Sequence, residues 1–174
     1  MEIILAEHSG FCTGVRRAVD TAMSLEGQNA YILGEIIHNS TVVNALRKKG
    51  LITVESLDEI PDGATVIFRS HGVPEKFYGI CKDRGIKVID CTCKFVQRTQ
   101  KIVKEQYSQG KEIIIVGESA HPEVIGLLGW CDNKASVISE LETDFSEFAQ
   151  KELCVVCQTT FSAQKFEKII KNIR

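Results

Sequence analysis

Apolar positions along the chain come in two textures. Short apolar runs at residues 2–6, 30–33, 51–54, 65–68, 86–90, 112–116, 136–138 and 153–156 suit strands buried on both faces. Between them lie segments whose apolar residues recur at helical spacing. Val15, Ala18, Val19 and Ala22 predict a helix from about Gly14 to Met23, and Val42, Val43, Ala45 and Leu46 a second, capped by Asn39 or Ser40. Pro74 suits the first turn of a third, through Phe77, Ile80 and Cys81. A long helix is expected over 95–108 with Val96, Ile102 and Val103 inward, then helices through Val124, Leu127 and Leu128, over 140–149, and over 163–173. Gly50 and the Pro61-Asp62-Gly63 turn punctuate the first half.

Strands alternating with helices predict an α/β fold of parallel sheets in three layers, with ligands at the carboxyl ends of the strands. Residues 1–93 and 94–174 read as two similar α/β units. Nearly every chemically capable residue falls directly after a predicted strand: Cys12, His38, His71, Cys93, His121 with Glu123, and Thr159. Three histidines in equivalent places, each beside a Gly, Asn or Pro that permits a sharp turn, suit a phosphate or diphosphate, because ring nitrogens donate hydrogen bonds to oxyanions.

Cys12 stands where the first strand hands over to the first helix. Unpaired amides and the helix dipole there favour the thiolate, the form that binds metals and attacks electrophiles. The alternative is a small hydrophobe filling a strand end. Cys91-x-Cys93 and Cys154-x-x-Cys157 resemble zinc half-sites, but their separation is far too long for a finger. A thioredoxin-type role for 154–157 fails because that motif should open a helix. Trp130 and Arg47-Lys48-Lys49 read as ordinary surface.

Composition narrows the setting. Hydrophobic content of 44% and charged content of 25% are those of a globular protein, and a net charge of −2 gives no general attraction to nucleic acid or membrane. No run approaches the roughly 20 apolar residues of a spanning helix, and no secretory signal opens the chain, so the expected location is cytoplasmic. Seven cysteines in that compartment suggest metal, cluster or redox use of a subset.

The segments Gly10-Phe11-Cys12-Thr13-Gly14-Val15, Gly34-Glu35-Ile36-Ile37-His38-Asn39, Ser70-His71-Gly72-Val73, Asp90-Cys91-Thr92-Cys93, His121-Pro122-Glu123-Val124 and Gln158-Thr159-Thr160 together resemble the LytB/IspH family of 4-hydroxy-3-methylbut-2-enyl diphosphate reductases, from end to end. The resemblance implies the last step of the methylerythritol phosphate route to isoprenoids. There a 4Fe-4S iron–sulfur cluster held by three cysteines serves removal of the substrate hydroxyl, giving isopentenyl and dimethylallyl diphosphates, with ferredoxin or flavodoxin as electron donor. Carried over by motif, Cys12 and Cys93 look like cluster ligands and His38, His71 and His121 like diphosphate ligands. Glu123 looks like the proton source. Thr159 looks like its hydrogen-bonding partner, which places it with both the catalytic and the substrate-binding residues.

Two departures stand out. Cys91 occupies a position where the family often has a small residue, so it rivals Cys93 for iron. The family's third cluster cysteine and a Ser-x-Asn diphosphate motif lie in a third α/β unit, and residues 161–174 contain no cysteine. The expectation is therefore an inactive piece covering two of three units. A non-catalytic phosphate- or zinc-binding module remains the alternative.

Overall fold

The computed structural model describes all residues except 1, 2, 5, 6, 8, 26, 38, 142, 143 and 174. Two parallel sheets carry the architecture. Among the described residues the first has four strands, β1 (Ala30–Leu33), β2 (Ile52–Val54), β3 (Thr65–Phe68) and β4 (Lys87–Asp90), in the order β2-β1-β3-β4. The second has three, β5 (Glu112–Val116), β6 (Ser136–Ile138) and β7 (Leu153–Cys157), in the order β6-β5-β7. Each sheet starts at a central strand, places the next on one side and the third on the other. The strand order reverses between β1 and β3 in one sheet and between β5 and β7 in the other. Crevices open at the carboxyl ends of strands at such switch points.

Helices α1 (Thr13–Met23), α2 (Ser40–Lys48) and α3 (Lys76–Asp83) cover the first sheet; α4 (Lys94–Ser108), α5 (Pro122–Leu128) and α6 (Ala163–Ile173) cover the second. Alternation along the strands decides which face each residue serves. Ile32 and Ile67 pack with Ala18, Val19, Ala22 and Leu46, whereas Leu33, Val66 and Phe68 point the other way to Val73 and Cys81. In the second sheet Ile113 and Ile115 meet Val103, Val124 and Leu127, and Ile114 and Val116 meet Ile138, Phe148 and Ile169. Phe68 is fully buried with its ring edge-on to Tyr78, centroids 5.2 Å apart. Phe68→Ala should therefore destabilise the fold by about 3–5 kcal/mol, read from denaturant midpoints at unchanged m-value.

Most expected elements form within a residue or two, and Asn39 is the α2 cap, its side chain accepting from the Val42 amide at 3.2 Å. Four expectations need correction. The strand over 2–6 lies mostly outside the described residues, and Ile3 and Ile4, which are described, stand 76% and 83% exposed in no strand. Of the helix over 140–149 only the 3-10 turn Ser146–Phe148 forms among the described residues. Asp144 accepts hydrogen bonds from both the amide and the hydroxyl of Ser146, a local pairing that competes with helix. In α4 the buried face is Val96, Gln100 and Val103 at i, i+4 and i+7, and Ile102 is turned out to solvent. Trp130 is not ordinary surface: its indole N–H donates to the Val73 carbonyl at 3.0 Å.

Candidate functional site

Cys12 and Cys93 occupy the same local position in two helices. Each is the N-cap residue, of α1 and α4 respectively, with extended backbone and with a side chain that makes no capping hydrogen bond. Their sulfurs are thus placed at positive helix ends without being used there. The two helix starts touch. A Cβ on Gly14 would lie 3.1 Å from the Cys93 sulfur, and Arg17 Nη2 donates to the Thr92 carbonyl at 2.7 Å. Thr13, Gly14, Arg17, Cys93, Lys94 and Phe95 line a cavity of about 440 Å³ between them.

Cys91 has a different surrounding. It is 2% exposed among Ala18, Val19 and Ile32, and burial raises its thiol pKa. Cys81 and Cys131 are buried in the cores as well. Cys154 and Cys157 pack on opposite faces of the second sheet, so they form no half-site for zinc. Burial, then the charge of Glu123, pushes the Cys157 thiol up to about 11. Among the described residues no three His, Cys, Asp or Glu side chains gather as a metal site. Cys12 is exposed and Cys93 half-buried, so of the seven cysteines these two stand at helix starts outside the cores.

The oxyanion-binding candidates sit at the switch points. His71 follows β3, and His121 follows β5 and caps α5. Their rings meet edge to face with centroids 5.4 Å apart. His121 Nδ1 accepts from the Glu123 amide at 3.2 Å, which leaves Nε2 of the neutral ring as its donor. His38 lies outside the described residues, although its neighbour Asn39 starts α2.

Glu123 is the second residue of α5 and only 1% exposed. Its carboxylate spans to the loop after β7. Oε1 accepts from the Thr159 amide at 2.8 Å, and Oε2 accepts from the Thr159 hydroxyl at 2.6 Å. A buried carboxylate held by two donors from one residue has a fixed orientation, a condition for proton delivery at a defined atom. Gln158 braces the same corner: its Oε1 accepts from the Glu118 amide at 3.0 Å and its Nε2 donates to Thr160 Oγ1 at 2.7 Å.

Three residues of this region carry functions that periodicity did not reveal. Gln158 is buried because it ties the β5 and β7 loops together. Arg69, at the end of β3, packs its guanidinium against Gly34, where a Cβ would lie 2.8 Å from Cζ and where φ is +69°. Desolvation lowers the Arg69 pKa, opposed by Glu55 and Glu35. Trp130, just past the end of α5, ties that helix to the loop after β3 through the Val73 carbonyl. Each is polar or aromatic at a strand or helix end, and only Gln158 carried a further signal, as part of the Gln158-Thr159-Thr160 motif.

A family model described as LytB protein matches residues 3–174. The chain belongs to the LytB family. A 4-hydroxy-3-methylbut-2-enyl diphosphate reductase from Thermoanaerobacter sp. is 44% identical over 180 aligned residues, covering 100% of this chain and 62% of the relative. A solved (E)-4-hydroxy-3-methyl-but-2-enyl diphosphate reductase, described as the terminal enzyme of the non-mevalonate pathway, is 39% identical. It superposes with a TM-score of 0.83, covering 98% of this chain and 63% of that one. The E-1-hydroxy-2-methyl-but-2-enyl-4-diphosphate reductase of Plasmodium falciparum is 29% identical, with a TM-score of 0.86 over 94% of this chain and 53% of that one. The chain thus spans somewhat less than two thirds of the length of these LytB-family relatives. Among the described residues no helix is long and apolar enough to cross a membrane.

Proposed function

We propose that this chain supplies two α/β units, 1–93 and 94–174, of an iron–sulfur reductase. The enzyme removes the hydroxyl of 4-hydroxy-3-methylbut-2-enyl diphosphate, giving isopentenyl and dimethylallyl diphosphates. The observation that carries the reading is the Glu123–Thr159 bridge beside the His71–His121 pair, at the switch points of two sheets in a LytB-family chain. The packing of α4 on the second sheet, through Val103, supports a boundary at residues 93 and 94.

The substrate is an anion with a reducible allylic carbon–oxygen bond. His71 and His121, with His38, bind and orient its diphosphate through ring N–H donors, and that binding directs the hydroxyl end toward the two cysteines. Cys12 and Cys93 hold two positions of a 4Fe-4S cluster, which supplies the Lewis acidity and electrons of the reaction when bound. Reduction consumes two electrons and two protons, breaks the carbon–oxygen bond, forms a carbon–hydrogen bond and releases water. Glu123 holds one of those protons, and Thr159 fixes the carboxyl that delivers it. The electrons come from a small donor of the ferredoxin or flavodoxin type in the cytoplasm. The remaining cluster thiolate comes from beyond residues 1–174, so these residues alone are expected to turn over no substrate.

The test uses the full-length protein purified without oxygen. Iron with acid-labile sulfide, and conversion of the diphosphate substrate to the two products by a reduced donor, are the expected results. Zinc alone, without reductase activity, would replace this reading with a zinc- or phosphate-binding module. His71→Ala should weaken substrate affinity by about 10- to 150-fold, the equivalent of about 1.5–3 kcal/mol for one charge-assisted hydrogen bond. Calorimetric titration of substrate checks it, and unchanged affinity removes His71 from the binding site.

A further inference from the structure

We propose that Gly126, Gly129 and Trp130 are positioning residues that set the spacing between His71 and His121, and so the width of the diphosphate seat. The proposal rests on reading those histidines as diphosphate ligands. His71 belongs to the first sheet's loops and His121 to the second's, and among the described residues no strand pairing joins the two sheets. Their separation is therefore decided by whatever packs between the units. Two helices make that contact: α4, with Gln100 and Val96 against Gly72, and α5, which carries His121 and meets the loop 71–74 backbone to backbone.

The α5 contact is unusually close because it is made of backbone. A Cβ on Gly126 would lie 3.3 Å from the Gly72 carbonyl oxygen and 3.5 Å from the Val73 nitrogen. Gly129, three residues on and on the same helix face, approaches Pro74; a Cβ there would lie 2.6 Å from the Pro74 Cα. Neither neighbour is a flexible side chain, so neither can swing away. Trp130 then closes the contact from the side. Its Nε1–H donates to the Val73 carbonyl, its ring meets Tyr78 edge-on at 6.2 Å, and the Lys104 ammonium lies 5.9 Å from the ring centre.

The lever arm is short. His121 caps the helix that carries Gly126, and its ring is tied to that helix through the Glu123 amide. Anything that lifts α5 off the loop moves the His121 ring with it, while His71 stays with the loop. None of the three positioning residues needs to touch the substrate for this to alter how two rings share one diphosphate. A displacement of about 1 Å of positioned groups can cost about 100-fold in rate, and a diphosphate shared by two misplaced rings loses hydrogen-bond geometry in the same way.

In the full-length enzyme, Gly126→Ala should weaken substrate affinity by about 10-fold or more, with a smaller change in kcat at saturation. Trp130→Phe keeps the ring and loses the donor, and should weaken affinity by about 2- to 10-fold. A double-mutant cycle decides whether these losses pass through His71. On a His71→Ala background, Gly126→Ala should add less than about 2-fold, because the partner whose spacing it disturbs is gone. Full additivity overturns the proposal, as does unchanged affinity in both single variants while His71→Ala alone weakens binding. If His71→Ala itself changes nothing, the functional reading of the histidines fails and the inference falls with it. Should Gly126→Ala not fold, the same cycle run with Trp130→Phe gives the answer on a variant without added bulk.

Discussion

Glu123→Gln in the full-length protein should lower turnover by about 100-fold or more while leaving substrate affinity little changed. The geometry makes this substitution informative. The Thr159 amide can only donate, so the new side chain must turn its oxygen to that amide. Its nitrogen then faces the Thr159 hydroxyl, which can rotate and accept. Shape and both contacts survive, and the transferable proton does not. If Glu123 served only to hold α5 against the β7 loop, turnover would stay close to wild type. Removing the carboxylate charge near the N-terminus of α5 would then show only as a loss of about 0.3–1 kcal/mol in stability. Measuring kcat, affinity and melting temperature on one preparation separates the two roles.

The second large effect tests which cysteine of the Cys91-Thr92-Cys93 segment would hold the iron of the proposed cluster. Cys93→Ser should lose cluster iron and activity, whereas Cys91→Ala should keep both and lose only stability. Alternation cannot choose between residues two apart on an extended chain, because both point to the same side. Depth chooses. Cys91 continues the line of β4 into the core under α1, while Cys93 is past the strand end and caps α4 beside Gly14. Metal analysis and the visible absorption of anaerobic protein would read the result directly. Loss of iron from Cys91→Ala with retention in Cys93→Ser would reverse the assignment. Loss from both would mean that the segment's conformation, and not a single ligand, is what the cluster needs.

Local patterns made much of this fold legible. The run Glu112–Val116 becomes β5 without a change of boundary, and 163–173 becomes α6, because each carries one strong periodicity with no competing signal. The segment 140–149 misled because Leu141, Phe145 and Phe148 keep helical spacing, yet Asp144 and Ser146 bond to each other locally. Ile102 misled for a related reason: apolar character was read as inward, and the polar Gln100 holds the buried position instead.

By its sequence alone this protein is an α/β chain whose reactive residues follow strands, and six motifs placed it with one family. Those are local properties: period 2 against 3.6, glycine at turns, chemistry at strand ends. Only the tertiary structure decided which of those residues meet. That His71 faces His121, that Thr159 holds both oxygens of Glu123, and that Cys91 is core while Cys93 borders a cavity all depend on contacts between residues from 36 to 75 or more positions apart. The physical reason is that two sheets sharing no strand among the described residues are placed by packing alone. At Gly126 and Gly129 the absence of a side chain lets the backbone of α5 approach Gly72 and Pro74, and α4 packs on Gly72 beside it.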